Sequence, residues 1–258
     1  MSRAAAYSAV TAKARAMYAR RLTDEDWTQL EALDSVRRIG ERLRQSGTWS
    51  AAAATDDAQE LCASLSDELH DRYRRLCLYL RHERDRQYMA FFLRRKPHAL
   101  SYPNEAYDEL SACIEKSYRG LSRLALKKLL GAEADMLNVV YLLRLRRFPA
   151  SLPQARERLI PVRMELKGAF IDALIAAPDD KAAAQLLRGT PWEALCDAAP
   201  EALDDAYERY MERLCRRLVT GGECSAAVPM AYMMLSELAR LRLTRLIQRT
   251  EQRSRQVI

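Results

Sequence analysis

Three histidines (His70, His82, His98) and six cysteines (Cys62, Cys77, Cys113, Cys196, Cys215, Cys224) are the side chains best suited to bind a metal or attack a substrate. No two cysteines form a Cys-x-x-Cys pair, and no histidine stands at ligand spacing from a cysteine, so no metal site is expected. Most of the cysteines fall on apolar helical faces, Cys77 beside Leu76 and Leu80 being typical. Reduced, buried thiols are the expected state. The carboxylate pairs Asp179-Asp180 and Asp204-Asp205 are adjacent in sequence. On a helix such side chains diverge by about 100°, so they read as first-turn or capping acids rather than as an acid–base pair. There is no P-loop, no glycine-rich phosphate cradle and no Ser/His/Asp or Cys/His arrangement. Neither catalytic residues nor a cofactor is expected.

The elements that would position any site are helical. Ala, Leu, Arg and Glu dominate, only 8 glycines and 9 prolines punctuate 258 residues, and Val/Ile/Thr runs of period two are missing. The spacing predicts a first helix over 2–21 with Tyr7, Val10, Ala14, Met17 and Tyr18 on one face. Thr23, with Asp26 three residues on, caps a second, whose stripe Leu30, Leu33, Val36, Ile39 and Leu43 runs towards Gly47. Thr55 or Asp56 opens the next helix, which reaches about Tyr79; another covers 84–96, and Pro97 and Pro103 bracket a loop. Asn104 caps a long helix carrying Tyr107, Leu110, Ile114, Tyr118, Leu121 and Leu124 and halting at Gly131; residues 132–147 form a separate one. Pro149 and Pro153 break the chain again. Short helices lead to Trp192, a long helix runs from near Pro200 to Leu218, Gly221-Gly222 interrupts, and a final helix starts at Val228. Short connections favour antiparallel neighbours. The fold class is all-α, one helical body over 1–258.

The formal net charge is +7. It fits a nucleic-acid surface, attraction to an anionic membrane face or an acidic protein, or simply an arginine-rich exterior. The basic residues are spread along the whole chain. Arg94-Arg95-Lys96, Arg146-Arg147 and Arg216-Arg217 lie near helix ends, where cations suit the helix dipole. No apolar run approaches the roughly 18 to 20 residues that span a bilayer, and the basic first helix breaks its apolar face too often for a signal sequence. A soluble protein is expected.

Two elements recur in the same order. Leu43-Arg-Gln-Ser-Gly-Thr48-Trp49 returns as Leu187-Arg-Gly-Thr190-Pro-Trp192, and the helical stretch 65–76 returns as 203–214. A helical unit that cannot cover its own apolar face packs against its copies, so stacked modules are predicted. Three helices also share a shorter pattern, an acid followed three residues later by a larger polar residue and then an apolar one. It reads Glu133-Ala-Asp135-Met-Leu-Asn138-Val139 continuing to Leu143-Arg144, then Asp85-Arg-Gln-Tyr88-Met89 and Glu237-Leu-Ala-Arg240-Leu241-Arg242. Positions three apart share a helix face. The polar groups Glu133, Asp135, Asn138, Asp85 and Glu237 are expected to hydrogen-bond to neighbouring helices, with Arg144 and Arg242 as partners.

Residues 133–144 resemble the signature Glu-x-Asp-x-x-Asn-(Ile/Val) followed by Leu-Arg of the C subunits of the bacterial and archaeal A/V-type rotary ATPases, the counterparts of the d subunit of eukaryotic V-ATPases. The start, Tyr7…Ala14-Arg15-Ala16-Met17…Leu22-Thr23, is similar to that family's opening. The resemblance covers most of the chain and implies three helical modules arranged as a funnel, with pseudo-repeats at about 22–96, 97–147 and 159–258. The middle module is shortened, since residue 96 is followed almost directly by the helix carrying Tyr107, and the asparagine position holds Tyr88 and Arg240 in the other copies.

The resemblance implies a non-catalytic coupling component of a proton- or sodium-translocating ATPase, peripheral on the cytoplasmic face of the cell membrane. Its partners would be central-stalk and membrane rotor-ring subunits. It would meet the membrane only through the rotor ring and bind no nucleic acid. The alternatives are a basic helical-repeat protein that binds nucleic acid, supported by net charge alone, and an adaptor that grips another protein in a groove.

Overall fold

The computed structural model describes residues 3–94, 104–148, 154–196, 198–199 and 202–256. Among these there are eleven α-helices, two 3-10 turns and no strand. The helices are α1 (Arg3–Tyr18), α2 (Asp24–Glu31), α3 (Val36–Gln45), α4 (Ala58–Cys77), α5 (Glu83–Arg94), α6 (Asn104–Ser117), α7 (Gly120–Leu145), α8 (Gly168–Ala176), α9 (Asp180–Leu187), α10 (Leu203–Thr220) and α11 (Ala227–Gln256). The breaks expected at Pro97 to Pro103, at Pro149 to Pro153 and at Pro200, together with His98, lie outside the described residues.

Local chemistry explains the helix starts. Thr23 and Asp26 form a reciprocal capping box on α2. Ser35, Asp57 and Asp179 stand in extended conformation and accept from the first amides of α3, α4 and α9. The cap at Ser35 is why the stripe from Leu30 to Leu43 belongs to two helices rather than one. The helix start anticipated at Thr55 or Asp56 is made by Asp57.

The largest departure concerns Gly131. The chain breaks earlier, at Gly120, whose φ of 57° lies in the left-handed region. There the Arg119 guanidinium donates to the carbonyls of Glu115, Lys116 and Tyr118 and closes the end of α6. α7 then runs through Gly131 without interruption. Leu121 and Leu124, expected to share a stripe with Tyr107 and Ile114, are both 64% exposed. The 118–120 break rotates them off that face.

The chain divides into two compact units. The first takes its described residues from Met1–His82, Val219–Cys224 and Val228–Ile258, the second from Glu83–Leu218 and Ser225–Ala227. In the first unit, Leu243 and Ile247 of α11 join Leu30, Ile39, Leu43, Trp49, Leu61 and Leu65 in one core, so the last helix packs on the helices that begin the chain. Gly40 makes the tightest approach there: a Cβ would lie 2.0 Å from the Ala53 carbonyl oxygen. Arg15 of α1 ties down the carbonyls of Val219, Gly221 and Glu223. In the second unit, α5 meets α6, α6 meets α7, and α8 meets α9. None of the six cysteines is in a disulfide, and only Cys215 is fully buried, the others being partly exposed.

Candidate functional site: a clasp on helix α7

Gly131, Asp135 and Asn138 stand four and three residues apart and therefore share one face of α7. That face receives the non-helical segment 159–166. The Asn138 side chain donates to the Ile160 carbonyl at 2.9 Å and accepts from the Ile160 amide at 2.8 Å. One amide group thus does what a β-strand neighbour would do. The Asp135 carboxylate accepts three consecutive backbone amides, Met164 at 3.1 Å, Glu165 at 2.6 Å and Leu166 at 3.1 Å. Gly131 lets the segment lie this close, because a Cβ there would sit 2.9 Å from Cβ of Met164. Leu159, Ile160 and Leu166 are buried beside it.

The two clasping side chains are almost dry. Asn138 and Asp135 are each 2% exposed. Burial pushes the Asp135 carboxyl above its usual range, outweighing the three amides that favour the anion, and the nearby Glu165 charge adds to the rise. Tyr210 on α10 is raised too, by burial first and then by Glu165 and Asp135. The partners of the clasp are backbone groups of a connecting segment, where the sequence pattern pointed to a neighbouring helix. Backbone amides without helix or strand partners must be satisfied in some other way when buried, and a carboxylate on a rigid helix does so.

Glu133, fully buried, accepts from the Tyr207 hydroxyl at 2.9 Å and links α7 to α10. Arg144 pairs with Asp204 at 2.7 Å, not with Asp135 or Asn138. Sequence reasoning missed Gly131, read as a helix stop, and Arg146, read as a helix-end cation. Arg146 pairs with Asp180 at 2.8 Å and donates to the carbonyls of Leu174 and Ala177, holding the end of α8. The Gly-x3-Asp-x2-Asn spacing was the available signal for Gly131; nothing local marks Arg146.

The clasp positions backbone; it brings no nucleophile to a base. Among the described residues no group of three His, Cys, Asp or Glu side chains could hold a metal ion, and no helix is long and apolar enough to cross a membrane. The family model of the ATP synthase (C/AC39) subunit matches residues 104–258, more than half of the chain and the whole of the clasp. The chain belongs to this family. It is a non-catalytic subunit of the ATP synthase complex, of the V/A type that the 133–144 signature resembles. No curated protein matches the chain.

The other residues of the recurring acid-and-polar pattern are placed differently. Asp85 on α5 is 1% exposed and lies 3.7 Å from the Arg84 guanidinium. Tyr88, in the asparagine position, packs edge-on to Tyr118 with centroids 5.5 Å apart and stacks on Phe92. In the first unit, Glu237 holds Arg240 of its own helix through two contacts of 2.7 and 2.8 Å, which keeps that guanidinium more firmly charged. Arg242 pairs with Glu31 at 2.7 Å and lies 3.9 Å over the Trp27 ring, joining α11 to α2 rather than meeting Glu237. The structure therefore brings Glu133, Asp135, Asn138 and Arg144 together along α7, with Asp85 on another helix of the same unit, and leaves Glu237 and Arg242 in the first unit.

Proposed function

We propose that this C/AC39 family member is a mechanical coupler that links the central stalk to the membrane rotor ring of a proton- or sodium-translocating V/A-type ATPase. The observation that carries the reading is the family match over 104–258, the stretch that contains the clasp. A coupler must resist deformation, and close-packed helices with satisfied buried polar groups have low compressibility. Locking segment 159–166 onto α7 at five backbone groups removes a compliant joint. In this reading Asp135 and Asn138 act as stiffening groups, Glu133 and Arg144 as fasteners between α7 and α10, and Asp85, Glu237 and Arg242 as local register-setting groups. The modular reading goes with it: pseudo-repeats at 22–96, 97–147 and 159–258 form a funnel-like connector whose middle module is shortened. The protein sits on the cytoplasmic face of the membrane and touches the membrane only through the rotor ring.

The test is affinity isolation of the tagged full chain from membranes, followed by identification of co-purifying chains. Stalk and rotor-ring subunits in stoichiometric amounts are expected. Recovery of nucleic acid, or of a single unrelated protein in place of ATPase subunits, overturns the reading.

A further inference from the structure

The first unit contains a cleft of roughly 200 Å³ between α1, the loop after α3, and α4. Four cations line it, Lys13, Arg20, Arg72 and Arg75, against a single acid, Glu68. That acid is already committed. Its carboxylate accepts from the Ala51 amide at 2.8 Å and lies 3.7 Å from Arg72, both side chains being buried. The remaining cations are therefore uncompensated within the cleft. Several guanidinium groups of this unit have an acid: Arg37 has Glu41, Arg38 has Asp34, Arg42 has Asp26 and Arg74 has Asp71. Arg20 and Arg75 have none among the described residues. Helix-end preference accounts for a cation near the end of α1 or of α4. It does not account for cations from two helices lining the same recess, where mutual repulsion raises the energy unless an anion is present.

A neighbouring chamber of about 70 Å³ shares Met17, Thr48, Arg72 and Tyr232 with the cleft and is lined by Tyr18. The Tyr18 hydroxyl is buried and has no hydrogen-bond partner among the described residues, so a residue lining that chamber carries an unused donor. Guanidinium forks and an ammonium around one recess match the oxygens of a phosphate. Arg72, 8% exposed, is held by Glu68, the Thr48 carbonyl and the Trp49 ring, which leaves Lys13, Arg20 and Arg75 as the cations open to a ligand. We propose that this cleft binds the phosphoryl group of a small soluble molecule. The site is independent of the coupling role proposed above.

The experiment is calorimetric titration of the full chain, at low chloride, with inorganic phosphate and with pyrophosphate. Saturable binding is expected, weakened at least tenfold in the double variant Arg20→Gln/Arg75→Gln with an unchanged melting temperature, and unchanged in Arg253→Gln, which removes an exposed charge elsewhere in the unit. Four results would each overturn the proposal: no saturable binding, equal weakening by Arg253→Gln, equal affinity for succinate, or binding only to phosphatidic-acid vesicles.

Discussion

The two tryptophan loops look like copies, yet they are held in different ways. In each, a hydroxyl three residues after a leucine accepts from the amide two residues further on and donates back to the leucine carbonyl: Ser46 with Leu43 and Thr48, and Thr190 with Leu187 and Trp192. Thr190 therefore corresponds to Ser46, not to Thr48 as the shared Thr-Trp letters suggest. Thr48 instead donates to the Arg20 carbonyl at 2.7 Å. A left-handed glycine, Gly47 at φ 68° or Gly189 at φ 70°, stands on opposite sides of that hydroxyl in the two loops.

The long helices differ as well. Glu68 and Arg72 of α4 align with Ala206 and Tyr210 of α10. Arg72 stacks 4.0 Å over the buried Trp49 ring and caps the Thr48 carbonyl, while Glu68 holds the Ala51 amide. Trp192 packs against Phe170, and its indole N–H finds no partner among the described residues. The first loop is fastened by a buried ion pair, the second by apolar contact, and the second unit places its polar fastening in the α7 clasp instead. A repeated letter pattern thus conserves backbone geometry more faithfully than it conserves fastenings.

The largest test of this division is Asp135→Leu. It strands the buried amide of Leu166 and the part-buried amides of Met164 and Glu165, and since an unsatisfied buried group costs about 1–3 kcal/mol, a loss of about 4 kcal/mol is expected in urea unfolding, with new proteolytic cleavage within 159–166. Unfolding at the wild-type midpoint would remove the clasp from the account. Next is Arg72→Ala, which leaves the Glu68 carboxylate buried and unpaired at a cost of about 3 kcal/mol; Tyr210→Phe at the aligned position is expected to cost under about 0.5 kcal/mol. Equal costs at these two sites would erase the contrast between the loops. Gly40→Ala, which drives a Cβ into the Ala53 carbonyl, is expected to lower stability by about 2 kcal/mol through forced backbone movement, read by the shift in melting temperature.

The smallest effect, and the sharpest in sign, is in pH. The folded carboxyl of Asp135 titrates above the usual 3.8, so its contribution is fully present below pH 3.8 and is lost as pH rises through the folded value. Asp26 is lowered, by the Thr23 amide first and then by the Thr23 hydroxyl, so its contribution is present above 3.8 and is lost as pH falls through the folded value. Relative to wild type, Asp135→Asn should flatten a decline in melting temperature above pH 4, and Asp26→Asn should flatten one below it. Shifts of the same sign in melting curves from pH 3 to 6 would refute the pair.

Most of the helices could be read from the chain because their signals are local. Capping by Thr23 depends on three neighbouring residues, and of the expected stripe Tyr7, Val10, Ala14 and Tyr18 are buried while Met17 is only partly so. Asp179, Asp180, Asp204 and Asp205 are the capping and first-turn acids they resembled. Gly131 misled because glycine weakens a helix by only about 1 kcal/mol. Burial of α7 and the approach of Met164 outweigh that.

The chain by itself determined an all-helical protein and a signature resembling that of the family whose model it matches, since propensity, spacing and motif are properties of neighbouring residues. The tertiary structure decided what each signature residue grips. Asp135 reaches Leu166, 31 positions on, and Arg242 reaches Glu31, 211 positions back. Contacts between distant residues follow from how whole helices pack, and no short window of sequence contains that information.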